Sequence, residues 1–441
     1  MKPNIFLLTI DSLRADKVYG PNKSSSTPNI DSMITSGTYF TQAISTSDAT
    51  GLSLGSIFTA KYPFKTGITH FNYDSKIPNY FDLLKKNGYN LYATVPDVSF
   101  FLKLTASFTE KDAYVYDKRD SWIQLVGGIG DSIIKRLENL KEPWFYFVHL
   151  MDLHAPFYLP PEFNSEKYGK TRYDRMVSSI DSWIGRFLQK IDQQKTIFVL
   201  SADHGDYIPV IDKEPTKPTT LHTLFKKGKK AMPALEPVGL KIFTSVSSLK
   251  KSYSYGKLKK ELSDDDLRTM DARGKWHLYD ELIRIPVIFL GCGITSKKIP
   301  TQVRQVDIFP TLADILGISQ LDDIDGKSLI HILEGKPFEE IAYIETGSRD
   351  PTKLGNIIGI RTSDYKYTRS RDDPNSNIQL FDLKSDPMEK VNLAESNQNL
   401  VQNMESLLQK VQTNITQQKP DAMTDEETKK IQEELKKLGY L

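Results

Sequence analysis

Thr196–Asp206 reads TIFVLSADHGD, a short apolar run that ends abruptly on a carboxylate, an imidazole and a glycine. Such a run predicts a strand buried on both faces, and in open α/β sheets ligands gather just beyond the carboxyl ends of these strands. Asp203 and His204 would stand at that mouth, offering one hard oxygen and one nitrogen to a divalent ion. Gly205 would let the backbone turn away. Taken alone, an Asp-His-Gly triplet more often caps a turn.

The start of the chain changes that balance. Asn4–Asp16, NIFLLTIDSLRAD, is again an apolar run that stops on a carboxylate, Asp11. Two carboxylates converging at one sheet edge repel each other unless a cation lies between them, so a metal is the economical explanation.

The chain has 441 residues, a net charge of +2 and a single cysteine, Cys292. That length predicts a large α/β domain with a smaller appended piece, and the charge calls for no nucleic-acid partner. Neither an intrachain disulfide nor a Cys-based metal site can form. The apolar stretch after Lys2 stops at Asp11, too short for a signal peptide or a membrane span, which predicts a soluble cytoplasmic protein without a transmembrane segment. One local exception stands out: between Lys213 and Leu262 twelve lysines face three acidic residues. A solvated lobe is the simplest reading of that stretch, and a lysine-lined lid that gathers anionic substrates is the sharper one.

Along the chain, strand-like runs at Tyr39–Ile44, Leu91–Val95 and Trp144–Leu150 alternate with helical patterns at Asn29–Ser36, Pro78–Asn87, Trp122–Leu140 and Arg172–Gln193. This order predicts a mostly parallel sheet covered on both faces by helices. Ser45–Gly67 begins with small and hydroxyl residues before a helical patch, a pattern that lets a backbone approach an anion at a helix N-terminus. Thr50, Ser53 and Ser56 are expected to face that point. The strand Trp144–Leu150 runs into HLMDLHAPF, which carries His149, Asp152 and His154. On its strand, His149 reads as a packed, hydrogen-bonded core histidine. From about 207 to 273 the periodicity disappears, and helix and strand return at GKWHLYDELIRIPVIFLG. Ile357–Arg361, Tyr365–Thr368 and Gln379–Leu383 predict a small antiparallel sheet. Two tail helices follow, the last opening at Thr424 with Glu427 as a capping box. The expected domains are 1–340, with the lysine-rich insertion, and 341–441.

IDSLRAD, TAKYP, HLMDLHAPF, SADHGD, GKWHLYDELIRIPVIFLG, VDIFPTLADILGI, DGKSL and IRTSDYKY with LFDLKSDPMEKVNL occur in the order of the sulfatase branch of the alkaline phosphatase superfamily, which the chain resembles. The resemblance implies a large mixed sheet between helices, a C-terminal subdomain with a small antiparallel sheet, and a metal-dependent ester hydrolase. Counting back from TAKYP, it puts Thr50 at the nucleophile position, Leu52 where sulfatases carry Pro and Leu54 where they carry Arg. Threonine cannot become the formylglycine of sulfatases proper. A threonine ester must instead be released by attack of water at the central atom, which phosphorus undergoes readily, so the reading leans to phosphate over sulfate.

By the same resemblance Asp11, Thr50, Asp203 and His204 form the metal site. Ser12 stands where many sulfatases have a second acid, which favours Mn²⁺ or Zn²⁺, with Ca²⁺ or Mg²⁺ as alternatives. His154 and Lys275 match residues that hold the ester's oxygens and protonate the leaving group. Asp152 and His277 are candidates for a second ion or for substrate contacts. One ion is expected ahead of two, because Lys275 would repel a neighbouring dication. Arg14 fits a salt bridge in the first loop as well as a ligand contact. The expectation is a metal-dependent hydrolase of phosphate mono- or diesters acting on an anionic small-molecule ester through Thr50. The alternatives are a sulfuric or phosphonate ester hydrolase, a phosphoryl transferase on the same scaffold, and a noncatalytic metal-binding relative acting in partner recognition.

Overall fold

A computed structural model of the chain describes residues 2–69, 72–115, 124–155, 157–208, 277–336, 340–348 and 355–413. Lys275, all of the lysine-rich stretch from Lys213 to Leu262 and the helix expected at Thr424 lie outside the described residues. The chain forms two compact units, Met1–Asp206 with Trp276–Leu441, and Tyr207–Lys275. Among the described residues the first unit holds two β-sheets.

Its main sheet is built from β1 (Asn4–Ile10), β2 (Thr38–Ile44), β3 (Asn90–Pro96), β4 (Glu110–Tyr114), β5 (Trp144–Leu150), β6 (Thr196–Ala202), β7 (Arg284–Gly291) and β8 (Lys297–Arg304). These strands lie in the order β4-β3-β5-β1-β6-β7-β2-β8. All run parallel except β7, which is antiparallel to both of its neighbours, β6 and β2. The central strands β1, β5 and β6 are buried at every residue, as unbroken apolar runs require when helices cover both faces.

Strand alternation sorts the side chains between the two helical layers. Phe6, paired in register with Tyr146 and Phe198, points to the layer that contains α1 (Pro28–Ser36) and α3 (Arg172–Leu188), where its ring meets Phe187 edge-on at 6.2 Å. Phe147 has the opposite parity. It meets Phe58 of α2 (Thr50–Thr59) at 5.0 Å, and Phe58 in turn lies 5.4 Å from Phe309 of α4 (Ile308–Leu316). His149, two residues beyond Phe147, therefore faces the α2 layer as well.

Helix ends follow local chemistry. A capping box of Thr171 and Asp174 opens α3, and Gly317 in the left-handed region (φ 64°) closes α4. The structure ends α3 at Leu188, short of the expected Gln193, because the chain must reverse before entering β6 at Thr196. Within the expected Trp122–Leu140 helix, the described part is a kinked turn at Leu125–Ile129 followed by a helix from Gly130 to Leu137. Gly128, at φ 114°, sits at the kink.

The second sheet has the order β12-β11-β10-β9 and is antiparallel throughout, formed by β9 (Ala342–Glu345), β10 (Ile357–Arg361), β11 (Tyr365–Ser370) and β12 (Gln379–Asp382). Three of these strands match the sequence expectation. β9 is an addition, too short to show a period in the sequence. The helix α5 (Gln398–Thr413) packs Val401, Met404 and Leu408 into the core of this sheet.

Candidate active site

Register brings the acidic residues together. Ile10 pairs with Leu150 on one side and Ala202 on the other, so Asp11 and Asp203 follow as the next step of adjacent parallel strands. Both are fully buried. Thr9 pairs with His149, and Thr9 and Asp11 share a parity, so the imidazole lies one pleat below Asp11 on the same face. Ligand atoms of Asp11, His149 and Asp203 all lie within 4.8 Å of one another.

The hydrogen bonds leave ligand atoms over. Asp203 Oδ1 accepts the backbone N–H groups of His204 (2.7 Å) and Ser12 (3.2 Å), while Oδ2 has no hydrogen bond and only His204 Nε2 at 3.5 Å. Asp11 Oδ1 accepts from Ser12 Oγ at 2.6 Å. His149 Nδ1 meets Thr9 Oγ1 at 2.8 Å, and its Nε2 has no hydrogen-bond partner, lying 3.9 Å from Asp11 Oδ2. Buried polar atoms without partners are rare. Two of them, on different residues and aimed into one acidic cluster, fit a bound divalent cation, with two carboxylates and imidazole nitrogen as an ordinary donor set for one.

His204 completes the cluster. Its Nδ1 lies 2.6 Å from the carbonyl oxygen of Gly205. A carbonyl only accepts, so Nδ1 carries a proton and Nε2 faces the site, free to present a lone pair to a cation when the ring is neutral. Thr50 Oγ1 donates to Asp11 Oδ2 at 3.1 Å and lies 3.4 Å from that Nε2. The threonine hydroxyl thus points into the carboxylate cluster from the first residue of α2.

Electrostatics reflect two buried acids side by side. Burial alone would raise the Asp11 carboxyl, but His149, His154 and His204 outweigh it and hold Asp11 well below the usual carboxylate range. Burial and the neighbouring Asp11 charge push Asp203 up. Burial opposes the charged form of His204, yet Asp203 and Asp11 overcome it and raise the ring to about 9. Paired buried anions demand positive charge nearby, whether from imidazolium or from a metal.

The other expected residues separate. Ser53 donates to the Ser47 carbonyl and Ser56 to that of Leu52, so of the three hydroxyls expected to face the anion point only Thr50 does. Ser53 also meets Ser45 Oγ at 2.9 Å, tying the loop before α2 to its first turn. Asp152 is buried, with Oδ1 accepting the Leu125 N–H at 3.1 Å and Oδ2 unpartnered. His277 rests on the C-terminal sheet, where its Nδ1 meets the Gln379 amide and its ring stacks on Tyr279 at 5.2 Å. His154, in the turn after β5, is close enough for its charge to act on Asp11. Arg14 holds Asp16 through two bonds of 2.8 and 3.0 Å and reaches the Asp206 carbonyl, the salt-bridge arrangement. Gly205 is required by close approach rather than by a left-handed turn, since a Cβ there would lie 2.0 Å from the Glu281 carbonyl oxygen.

Sequence reading passed over two residues. His149 is buried and hydrogen-bonded, as its position on a strand suggested, but its second nitrogen faces the acids; the pairing of β5 with β1 decides this. Asp48 accepts the Gly347 N–H at 2.7 Å, a contact across 299 residues that no local pattern signals.

Residues 3–318 match the family described as Sulfatase, and 271–418 match the one described as N-sulphoglucosamine sulphohydrolase, C-terminal. The chain belongs to the sulfatase family. This sulfatase-family protein is 24% identical over 463 residues to arylsulfatase K of Gallus gallus, covering 93% of this chain and 82% of that one. It is 22% identical over 447 residues to choline-sulfatase of Rhizobium meliloti (strain 1021), covering 90% and 83%. In fold it is similar to the crystal structure of phosphonate monoester hydrolase of Agrobacterium radiobacter, with a TM-score of 0.67 at 15% identity over 96% of this chain and 99% of that one. The mixed sheet with its smaller antiparallel partner is therefore the architecture that the motifs implied. No helix among the described residues is long and apolar enough to cross a membrane.

Proposed function

We propose that this sulfatase-family ester hydrolase cleaves phosphate mono- or diesters, with Thr50 as the nucleophile and Asp11, Asp203, His204 and His149 as the residues that hold a divalent ion. The observation that carries this reading is the Thr50 hydroxyl at the N-terminus of α2, 3.1 Å from Asp11 Oδ2 and 3.4 Å from His204 Nε2. When bound, Mn²⁺ or Zn²⁺ would supply positive charge to the ester oxygens and lower the pKa of the threonine hydroxyl.

The chain's own groups do the remainder. Asp11 orients the hydroxyl, and the N–H groups at the start of α2 favour an anion beside it. Thr50 Oγ1 passes its proton along its hydrogen bond to Asp11 Oδ2 and forms a bond to phosphorus as the bond to the leaving oxygen breaks, and that oxygen takes a proton from His154. Water then attacks phosphorus and gives a proton back to His154, while the Thr50 Oγ1–phosphorus bond breaks and Thr50 takes its proton back from Asp11. Lys275 is assigned to the ester's nonbridging oxygens from its motif alone. If the Thr9 hydroxyl donates to the Val148 carbonyl, 3.4 Å away, Nδ1 of His149 donates to Thr9 and Nε2 keeps its lone pair for the ion.

A second reading, a sulfuric ester hydrolase, draws support from relatives named arylsulfatase K and choline-sulfatase. One experiment separates the two. Full-length protein with Mn²⁺ or Zn²⁺ is given aryl phosphate, bis-aryl phosphate and aryl sulfate, then acid-quenched and mapped for phosphopeptides beside Thr50→Ala. Turnover of a phosphate ester with label on Thr50 is expected. Label on another residue, or turnover of the sulfate alone, rejects the proposal.

A further inference from the structure

The loop that ends at Thr50 is held from the second sheet. Glu345, the last residue of β9, donates its backbone N–H to the Thr46 carbonyl at 2.9 Å, and Ser47 bridges to Glu345 in parallel. Two residues on, Gly347 N–H donates to Asp48 Oδ1 at 2.7 Å. Gly347 also packs so closely that a Cβ built on it would lie 2.3 Å from Ala49 Cβ. On its other side the loop is tied to the strand end that carries Asp203, since Ser45 Oγ donates to the Asp203 carbonyl at 2.7 Å and Gln305 Nε2 donates to the same oxygen at 2.8 Å.

Thr50 is the first residue of α2 and Ala49 its N-cap, with no side-chain cap of its own. The direction of the hydroxyl therefore depends on where residues 48 and 49 are placed. Gly347 touches both of those residues, and it comes from outside the helix. We propose that the Asp48–Gly347 contact is a positioning device, through which the C-terminal sheet sets the nucleophile's approach to the ester. The inference rests on the reading of Thr50 as nucleophile. Asp48 meets Gly347 as a hydrogen-bond acceptor, a role that an amide oxygen would also fill, while its charge acts separately on His204.

The test compares wild type, Thr50→Ala, Asp48→Ala, Asp48→Asn and Gly347→Ala as full-length, Mn²⁺-loaded protein on the aryl ester that the wild type turns over. Manganese affinity and Tm are measured in parallel. Asp48→Ala and Gly347→Ala are expected to lower kcat by roughly 10- to 100-fold with KM and manganese affinity within about twofold of wild type, since a displacement near 1 Å in a reacting group costs on the order of 10²-fold. Asp48→Asn, which keeps the acceptor oxygen, should stay within about threefold of wild-type kcat. Equal damage from Asp48→Asn and Asp48→Ala would assign the effect to charge and overturn the proposal. So would an unchanged kcat in Asp48→Ala, or losses of kcat and manganese affinity in step. Wild-type turnover in Thr50→Ala would instead reject the nucleophile reading, whatever the Asp48 variants do.

Discussion

The two oxygens of Asp203 have different fates: Oδ1 is saturated by two backbone N–H groups and Oδ2 faces the cluster without a hydrogen bond. One oxygen fixes the carboxylate and the other stays available to an ion. Asp203→Asn keeps an acceptor for the backbone but loses the charge, so adding Mn²⁺ or Zn²⁺ should no longer raise Tm. For the wild type the stabilisation is about 2.7 kcal/mol at a free metal concentration of 100 Kd, readable by thermal shift. Asp152 makes a pH prediction. Burial pushes its carboxyl up to about 7 against the opposing N–H of Leu125, so the native state holds a proton there that the unfolded chain releases at a lower pH. Its stabilising share is complete below the unfolded value of 3.8 and is lost as pH rises through about 7. Metal-free Asp152→Asn should therefore show a flatter fall in stability between these values than the wild type, by on the order of a few kcal/mol. Parallel slopes in urea titrations at the two ends of the range would contradict this. The carboxylates and Thr50 were readable because each ends an apolar run or sits at a counted distance from a motif. His149 was not, because its role depends on strand pairing, and a sequence shows a strand without showing its neighbour.

Between elements, the segment leading into β7 is locked to the second sheet by a buried group of four charges. Arg361 on β10 binds Asp280 at 2.8 Å, and Lys366 on β11 binds Asp280 at 2.9 Å and Glu389 at 2.5 Å. Glu389 closes the ring by accepting the Asp280 N–H at 2.7 Å. Burial would raise the Asp280 carboxyl, but Arg361 and Lys366 outweigh it and hold it far below the ordinary range. Lys366→Met would strand carboxylates in the interior and should cost about 3–5 kcal/mol. Adding Glu389→Gln should recover part of that loss while keeping an acceptor for the Asp280 N–H. Equilibrium urea unfolding of the single and double variants decides it, and a double variant no more stable than the single one would refute the account. These contacts link positions far apart in the chain, so no period or spacing announced them. The long strands and α3 were legible because their apolar patterns run through several turns or pleats. β9 was not, because four residues are too few for either period to show.

At the scale of the whole sheet, β7 is the exception to parallel order among the described strands. The chain leaves β6 at Ala202 and comes back at Arg284 on the adjacent strand, and the departing and returning segments touch where Gly205 N–H donates to the Leu282 carbonyl at 2.7 Å. A variant in which a short Gly/Ser bridge replaces 209–276 should keep cooperative thermal unfolding and its metal-induced thermal shift. Loss of cooperative unfolding in that variant would show that the sheet needs the excised residues. Closing a loop costs only about 0.6 kcal/mol more for each doubling of its length. The return strand thus gives the molecule a docking port for sequence. Residues can be added or removed beyond that seam without breaking a single strand pairing of the main sheet, since β6 and β7 already meet along their length.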